Sequence, residues 1–275
     1  MLLNVNENSE LLAMQVFVCV KQVLDWNRSS KDFRIDPQTH GATVTFPHYC
    51  IDQFDEIAVE LAAQLRERSG IKVRALSVGP ENAEDMLKHV LSMKIDAATL
   101  VTTTSPNTNT AQMLCGAIQR HGGAAIILCG RVSSDNGTAA TAPRLAEMLG
   151  MPCITNVIDI TGQEGNWMVK RETAHGHEVL AVTIPFVATV TNAKNNVPRT
   201  PTMKDKMWAF RQQVEILDNA EVIAAGSGPE KQGSLHLVRR CIPHSARECR
   251  KIEGDARQKA LALAEYVRKI AHRKV

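Results

Sequence analysis

Short apolar segments alternate with segments of helical period through the first 150 residues, and this alternation most constrains the fold. The apolar segments are rich in β-branched residues, as buried strands are. They occupy residues 15–20, 72–78, 98–102 and 124–129. The segments between them place apolar residues on one side of a helix. These helical segments cover residues 54–65, 81–93, 109–121 and a stretch that ends at Leu149. Strands joined by helices of this length predict an α/β fold with a doubly wound, mostly parallel sheet.

The pattern changes after Pro152, where short strands follow one another without a helix between them. They lie at residues 154–160, 167–172 and 178–183. Turn residues separate these strands, which predicts an antiparallel segment added to the sheet. Residues 28–50 have no helical period and predict a loop or a small hairpin.

The C-terminal quarter of the chain differs from the rest. Residues 195–234 have little periodicity and predict an exposed loop, a strand near 213–217 and a linker. Residues 256–271 then predict one more amphipathic helix. We therefore divide the chain into a nucleotide-binding α/β domain at 14–217 and a linker with a C-terminal arm at 218–275.

Charge is distributed unevenly along the chain. The net charge is +3, but residues 231–275 carry 12 Lys and Arg against 4 Asp and Glu. Such a basic end can meet nucleic acid, an anionic membrane or an acidic partner, or it can form a solvated helix face. The aromatic residues that a single-strand nucleic-acid groove interleaves with its charges are nearly absent there. We expect no nucleic-acid partner.

Cysteine usage and hydropathy indicate the cellular setting. The seven cysteines form no Cys-x-x-Cys pair, and their odd number argues against a disulfide framework or a zinc knuckle. This usage is typical of a reduced, intracellular protein, and we expect a cytoplasmic location. No apolar run approaches the ~18 residues that a membrane-spanning helix needs, so we expect no integral membrane protein. Residues 1–13 resemble neither a secretory signal nor a transit peptide.

Three segments are predicted to meet where an open parallel sheet binds its ligands, at the carboxyl ends of the strands. They are residues 18–21, 77–80 and 130–141. The third is small and polar and precedes a helix, so that its backbone can approach a ligand and helix N–H groups can bind phosphate. Asp135, Asn136 and Gly137 are also typical of a surface turn with a helix cap. Both interpretations stay open from the pattern alone.

Residues typical of a catalyst are scarce. His175 and His177 could contact a metal, but no third ligand has a fixed spacing to them, so a hairpin tip is favoured and no metal is expected. Cys19 lies on an apolar strand and is interpreted as a buried small hydrophobic residue. No Ser-His-Asp or Cys-His set is evident. The sequence favours binding or carrying over bond-making chemistry.

Several motifs carry a family resemblance. They lie at residues 18–25, 53–60, 78–80, 169–172 with Gly176, Glu178 and Pro185, and 196–204. In this order they resemble the motifs of the beta (small) subunit of electron transfer flavoproteins, including the FixA-like members. The resemblance extends over residues 15–217, with a weaker tail to 271.

The resemblance implies a Rossmann-like domain that works beside a larger alpha subunit, which holds the main FAD. Such pairs accept electrons from a flavin dehydrogenase, for example one that acts on acyl-CoA, and pass them to a downstream acceptor. The small subunit holds AMP in most members. In electron-bifurcating members it holds a second FAD, close to where NADH docks. The resemblance therefore implies an electron carrier rather than a catalyst by itself, with AMP or a second FAD in this chain.

The resemblance also maps functional residues onto this sequence. The implied cofactor-binding residues are Cys19, Asp52, Val78, Gly130, Asp135, Asn136, Gly137, Thr138, Ala139, Ala140 and Thr141. A partner-recognition loop maps onto residues 196–209, with the docking residues Pro198, Arg199, Met203 and Met207. Met203 takes the place of an apolar anchor, and the last helix resembles the arm that packs on the alpha subunit.

The sequence departs from the family pattern in the phosphate loop, and two alternative functions remain. At residues 140–142 the chain has Ala-Thr-Ala where the family has Gln and Gly, whereas Thr138-Ala139 is similar to the FAD-binding version. The choice between AMP and FAD therefore stays open. The alternative function is a stand-alone adenine-nucleotide sensor of the universal-stress type, which has no use for the segment at 195–275. An adenylating enzyme of related fold would need a pyrophosphate loop that the sequence lacks.

Overall fold

A computed structural model of the chain describes residues 15–25, 27, 33–36, 42–103, 109–163, 166–225 and 251–271. The strands within these residues are β1 (Gln15–Cys19), β2 (Gln22–Leu24), β3 (Phe33–Ile35), β4 (Ala42–Val44), β5 (Tyr49–Ile51), β6 (Lys72–Gly79), β7 (Ala97–Thr102), β8 (Ile126–Gly130), β9 (Cys153–Gln163), β10 (Asn166–Thr173), β11 (Gly176–Val182), β12 (Phe186–Val190) and β13 (Glu215–Asp218). The helices are α1 (Gln53–Ser69), α2 (Glu84–Ser92), α3 (Thr110–Arg120), α4 (Thr141–Leu149), α5 (Met203–Arg211), α6 (Asn219–Ala225) and α7 (Ala256–Ala271).

A nine-stranded sheet organises the larger part of the chain. Its strand order is β11-β10-β9-β12-β8-β1-β6-β7-β13. Seven neighbouring strands of this sheet are parallel: β9, β12, β8, β1, β6, β7 and β13. Beyond β9, the strands β10 and β11 continue the sheet as antiparallel strands. The predicted α/β fold, with its mostly parallel sheet and added antiparallel segment, is confirmed.

Helices cover both faces of this sheet because each central strand is apolar on both sides. In β1, Val16 and Val18 belong to the core cluster under α1 and α2, whereas Phe17 and Cys19 belong to the cluster under α3 and α4. Side chains of a strand alternate between its faces, so a continuous apolar run is what a doubly covered strand requires. All five residues from Val16 to Val20 are at most 6 % exposed.

Helix α1 has a clear start and end. The Asp52 carboxylate accepts the N–H of Phe54 at 3.1 Å, which caps the N-terminus. Gly70 ends the helix in the left-handed conformation, at φ 72°, as the predicted stop near this residue requires. These ends fix Asp52 and the following first turn of α1 beside the carboxyl ends of β1 and β8.

The structure adds elements that the sequence analysis missed. Strand β12 inserts between β8 and β9 as a fully buried parallel strand. Helix α5 lies in the segment predicted as an exposed loop, and Thr202 and Asp205 form a capping box at its start. A third addition is α6, in the segment predicted as a linker.

A second compact unit contains the described residues of β3, β4 and α7. Strands β3 and β4 form an antiparallel pair, as the small hairpin predicted within residues 28–50. Helix α7 matches the predicted last helix at both ends, and its apolar residues Leu261, Leu263, Val267 and Ile270 are exposed. No helix among the described ranges is both long and apolar enough to span a membrane.

Candidate functional site

A cavity of about 240 Å³ opens at the carboxyl ends of β1, β6 and β8. It is lined by residues from all three segments that the sequence analysis placed there. From these segments come Cys19, Val20, Lys21, Val78, Gly130, Arg131, Val132, Ser133, Asn136, Thr138, Ala139, Ala140 and Thr141. Cys129, Ala142, Asp55, Thr110 and Leu114 complete the lining. The prediction that these segments converge is confirmed.

Two carboxylates at the start of α1 hold the cavity walls together. Asp55 accepts the N–H of Lys21 at 2.8 Å and the N–H of Gly130 at 2.9 Å, which joins the ends of β1 and β8. Asp52 is fully buried and accepts the N–H and the hydroxyl of Ser134 at 2.6 and 2.7 Å. One helix N-terminus therefore positions two of the three segments that surround the cavity, 18–21 and 130–141.

Gly130 is where these walls come closest. A Cβ atom at this position would lie 2.8 Å from the backbone N of Asp55 and from the backbone C of Phe54, and closer still to the Asp55 carboxylate. No side chain can therefore stand between the end of β8 and the first turn of α1.

The polar loop at 133–141 ends in backbone that is open to a ligand. Ala139 has a φ of 52°, a left-handed conformation that is uncommon for residues other than glycine. Ala140 precedes α4 and supplies no side-chain cap. The first N–H groups of a helix have no partner within the helix, so the start of α4 offers donors for an anion.

Two cations lie at the cavity. Lys21 donates to Asp135 at 2.7 Å, and its hydrogen bond lowers the pKa of Asp135 against the effect of burial, which raises it. The guanidinium of Arg131 lies 4.7 Å from the centre of the Phe54 ring. A cavity with two cations and a free helix N-terminus suits a phosphate.

Two buried thiols form an apolar floor of the cavity. Cys19 and Cys129 are partners across β1 and β8, and both are about 5 % exposed. The hydrogen bond with Cys19, together with burial, raises the pKa of the Cys129 thiol well above its ordinary value. A protonated thiol is a weak nucleophile, so Cys129 does not suit nucleophilic catalysis.

Asp55 gives the site a pH dependence that can be measured. Burial and the neighbouring Asp52 raise the pKa of Asp55 from 3.8 to about 7. The folded state then holds a proton that the unfolded state releases, so this contribution to stability is complete below pH 3.8 and is lost as the pH rises through about 7. The change corresponds to at most about 4 kcal/mol.

Asp55→Asn is therefore expected to flatten the dependence of the unfolding free energy on pH between about 4 and 7. Urea unfolding of wild type and variant at several pH values, at one protein concentration, measures the difference in slope. Equal slopes in the two proteins would contradict the proton assignment.

A second feature lies on α5, where large apolar side chains are exposed. Met203, Met207 and Phe210 follow the spacing i, i+4, i+7 and are 73 %, 54 % and 81 % exposed. We call these three residues the apolar face of α5. The opposite side is anchored, since Ala209 is buried and Asp205 pairs with Lys94 at 3.1 Å.

Comparison with known proteins identifies the family. A model of the electron transfer flavoprotein domain matches residues 45–222. The chain belongs to the electron transfer flavoprotein family. The subunit beta of Megasphaera elsdenii is 31 % identical over 259 residues, which cover 89 % of this chain and 94 % of that protein. The subunit beta of Thermoanaerobacterium thermosaccharolyticum is 34 % identical over 216 residues, or 76 % of this chain and 81 % of that protein.

A third relative is named for a reductase. The acryloyl-CoA reductase electron transfer subunit gamma of Anaerotignum propionicum is 30 % identical over 211 residues, which cover 74 % of this chain and 78 % of that protein. The predicted resemblance to electron transfer flavoprotein beta subunits is thus confirmed. Proteins of this family transfer electrons with a flavin, and their beta subunits pair with an alpha subunit.

For an electron transfer flavoprotein subunit, the implied cofactor residues fall into two groups. Those that line the cavity are Cys19, Val78, Gly130, Asn136, Thr138, Ala139, Ala140 and Thr141. Asp52, Asp135 and Gly137 lie outside the lining. Asp52 caps α1 and holds Ser134, and Asp135 holds Lys21.

The sequence analysis missed three residues of the site. Lys21 and Arg131 were within or beside the predicted segments, but neither was assigned a role. Asp55 could have been predicted from the sequence. It follows the N-cap Asp52 by three positions, so both carboxylates lie on the same side of the first turn of α1. The contact of this turn with Gly130 depends on the tertiary fold.

The implied docking residues are also separated. Met203 and Met207 are exposed on the apolar face of α5, and Pro198 is half-buried. The Arg199 side chain turns toward α1 and binds Glu60 and Glu67. His175 lies in the turn between β10 and β11 with His177 just after it, so the predicted hairpin tip is confirmed. Among the described residues, no group of three His, Cys, Asp or Glu side chains could hold a metal ion.

Proposed function

We propose that this chain is the small subunit of a heterodimeric electron transfer flavoprotein, that it binds an adenine nucleotide in the cavity, and that it docks a flavin dehydrogenase through α5. The observation that carries the proposal is the cavity itself. Three strand ends, a glycine without room for a side chain and an uncapped helix start meet there. Nucleotide sites of open α/β sheets combine such features at the carboxyl edge of the parallel strands.

The donors at the cavity fit the phosphate of an adenine nucleotide. Lys21 and Arg131 provide positive charge, and the first N–H groups of α4 provide directed donors. The hydroxyls of Thr138 and Thr141 line the same cavity and can donate as well. The apolar side chains of Val78 and Leu114 offer contact surface for a base.

The nucleotide is AMP or the AMP half of a second FAD. A bound AMP would be structural, whereas a bound FAD supplies electron transfer by its isoalloxazine ring. The cavity of about 240 Å³ is smaller than the range of roughly 300–1,000 Å³ typical of ligand pockets. A ligand as large as FAD would therefore extend outside the cavity, with its isoalloxazine ring beyond the lining residues. If the nucleotide bound to this chain is a second FAD, the complex could carry out NADH-linked electron bifurcation.

The electron donor that we propose is a flavin dehydrogenase that acts on a CoA thioester. Two relatives are named for enzymes of this substrate class, one as an electron transfer subunit of acryloyl-CoA reductase and another as a subunit of a caffeyl-CoA reductase complex. Because a reductase receives electrons, these names support the CoA thioester as the partner's substrate, whereas electron flow from the dehydrogenase is our proposal. The apolar face of α5 suits such a docking partner, since exposed methionines adapt to an apolar pocket. The role of this chain would be to hold the nucleotide and the partners within tunnelling distance, without a bond-making residue of its own.

Reconstitution tests this function directly. The chain is co-expressed with its alpha subunit, and reduction of an artificial acceptor by acyl-CoA and its dehydrogenase is followed. Transfer is expected with the pair and not with the alpha subunit alone. A stable homo-oligomer of this chain that binds nucleotide and forms no complex with the alpha subunit would favour the sensor alternative instead.

A further inference from the structure

Arg199 is bound on its inner side by two carboxylates of α1. Its Nε and Nη2 bind the Glu60 carboxylate at 2.8 and 3.0 Å, and its Nη1 and Nη2 bind the Glu67 carboxylate at 2.6 and 3.2 Å. These bonds use four of the five N–H donors of a guanidinium. Two bidentate pairs on one guanidinium fix the position and the plane of the side chain.

This cluster is partly shielded from solvent. Glu60 is 4 % exposed, and it also accepts the backbone N–H of Arg199 at 3.1 Å. The hydrogen bond from Arg199 lowers the pKa of Glu67, and the bonds to Glu60 and Glu67 raise the pKa of Arg199. With its donors in use on this side, the guanidinium has little left to offer a partner protein.

The chain around Arg199 is stiff and leads directly into α5. Pro198 and Pro201 fix their own φ angles and restrict the residues before them. Upstream, Asn196 is buried and binds the carbonyl of Thr191 at 2.8 Å and the N–H of Ala193 at 2.6 Å. A displacement of Arg199 therefore shifts Met203, four residues on, rather than being absorbed by a flexible loop.

We propose that Arg199 is a positioning residue for docking, which acts by tying the segment that precedes α5 to α1 and not by contacting the dehydrogenase. The proposal rests on the proposed function of the apolar face of α5. It assigns to Glu60 and Glu67 the same role as to Arg199, since the three side chains form one unit. It also predicts that a positive charge at position 199 does not support docking unless the side chain can bind both carboxylates in the bidentate geometry.

A double-mutant cycle on the heterodimer tests this proposal. The variants are Arg199→Ala, Arg199→Lys, Glu60→Gln and the double variant Arg199→Ala with Glu60→Gln, with Glu147→Gln as an exposed carboxylate control on α4. For each, KM for the reduced dehydrogenase, the limiting rate at saturation, bound nucleotide and the dependence of KM on salt are measured.

We expect each single variant to raise KM about tenfold, and the double variant to raise it by about the same factor rather than a hundredfold. Arg199→Lys should behave as Arg199→Ala, whereas the limiting rate, bound nucleotide and salt dependence should not change. Glu147→Gln should match wild type.

Three results would overturn the proposal. If Arg199→Lys restores KM, or if Arg199→Ala weakens the salt dependence while Glu60→Gln leaves KM unchanged, then Arg199 contacts the partner directly. If thermal stability falls and KM does not change in any variant, the cluster serves stability alone. Met203→Asp tests the docking function by itself, because it alters the apolar face of α5 and leaves the Arg199 cluster intact. If KM does not change in Met203→Asp, the proposed docking function fails, whatever the role of Arg199.

Discussion

Met203→Asp is expected to lower kcat/KM for electron transfer from the dehydrogenase by at least about 30-fold, with the heterodimer and its cofactors intact. Met203 is 73 % exposed at the start of α5, where the Thr202 cap and the Asp205–Lys94 pair hold it in place. An apolar anchor at the centre of an interface contributes about 2 kcal/mol or more, which corresponds to this factor. A carboxylate in the same apolar pocket adds a desolvation penalty.

The matched control for Met203→Asp is Phe46→Asp. Phe46 is 84 % exposed and lies outside α5, so the same kind of change is made on an equally open surface. Stopped-flow reduction of the heterodimer by the dehydrogenase measures both variants. An unchanged rate in Met203→Asp, or an equal loss in both variants, would contradict docking by the apolar face of α5.

Gly130→Ala is expected to remove the nucleotide and destabilise the fold by about 2 kcal/mol, the cost typical of an overpacked position. The new Cβ would lie 2.8 Å from backbone atoms of both Phe54 and Asp55. Backbone atoms cannot rotate away, so the first turn of α1 has to move from the end of β8. That shift breaks the hydrogen bond from the Gly130 N–H to Asp55 and opens the cavity wall.

Gly79→Ala is the control for Gly130→Ala. Gly79 ends the neighbouring strand β6, and a Cβ there would meet Ala83 at an ordinary 3.6 Å. Nucleotide content after purification and the urea midpoint are measured for both variants. Full nucleotide content in Gly130→Ala would show that the cavity is not the binding site.

The sequence predicted the strands and helices that carry a simple period. Each of β1, β6 and β8 is a short apolar run bounded by turn residues, and α1 has an uninterrupted stripe from Phe54 to Leu65. The convergence of their loops then follows from the geometry of a parallel sheet. Fold class and the location of the cavity are therefore consequences of local pattern.

Other features depend on contacts that no local pattern contains. Strand β12 is a short apolar run like β1 and was overlooked in the sequence, but its parallel pairing between β8 and β9 depends on strands distant in sequence. Helix α5 was readable, since its capping box is Thr202-x-x-Asp205 and Met203, Met207 and Phe210 follow helical spacing. The pattern does not show that this apolar stripe faces solvent rather than the core. Arg199 could be located from its motif, whereas its direction depends on two carboxylates more than 130 residues away.

The measurement that tests the account most directly is the cofactor stoichiometry of the purified heterodimer. The pair is denatured, and FAD and AMP are quantified per complex. The account predicts two adenine nucleotides, one in each subunit: either one FAD and one AMP, or two FAD. Two FAD would support the bifurcating version, and NADH is then the next ligand to test. One FAD with no second nucleotide would contradict the assignment of the cavity in this chain.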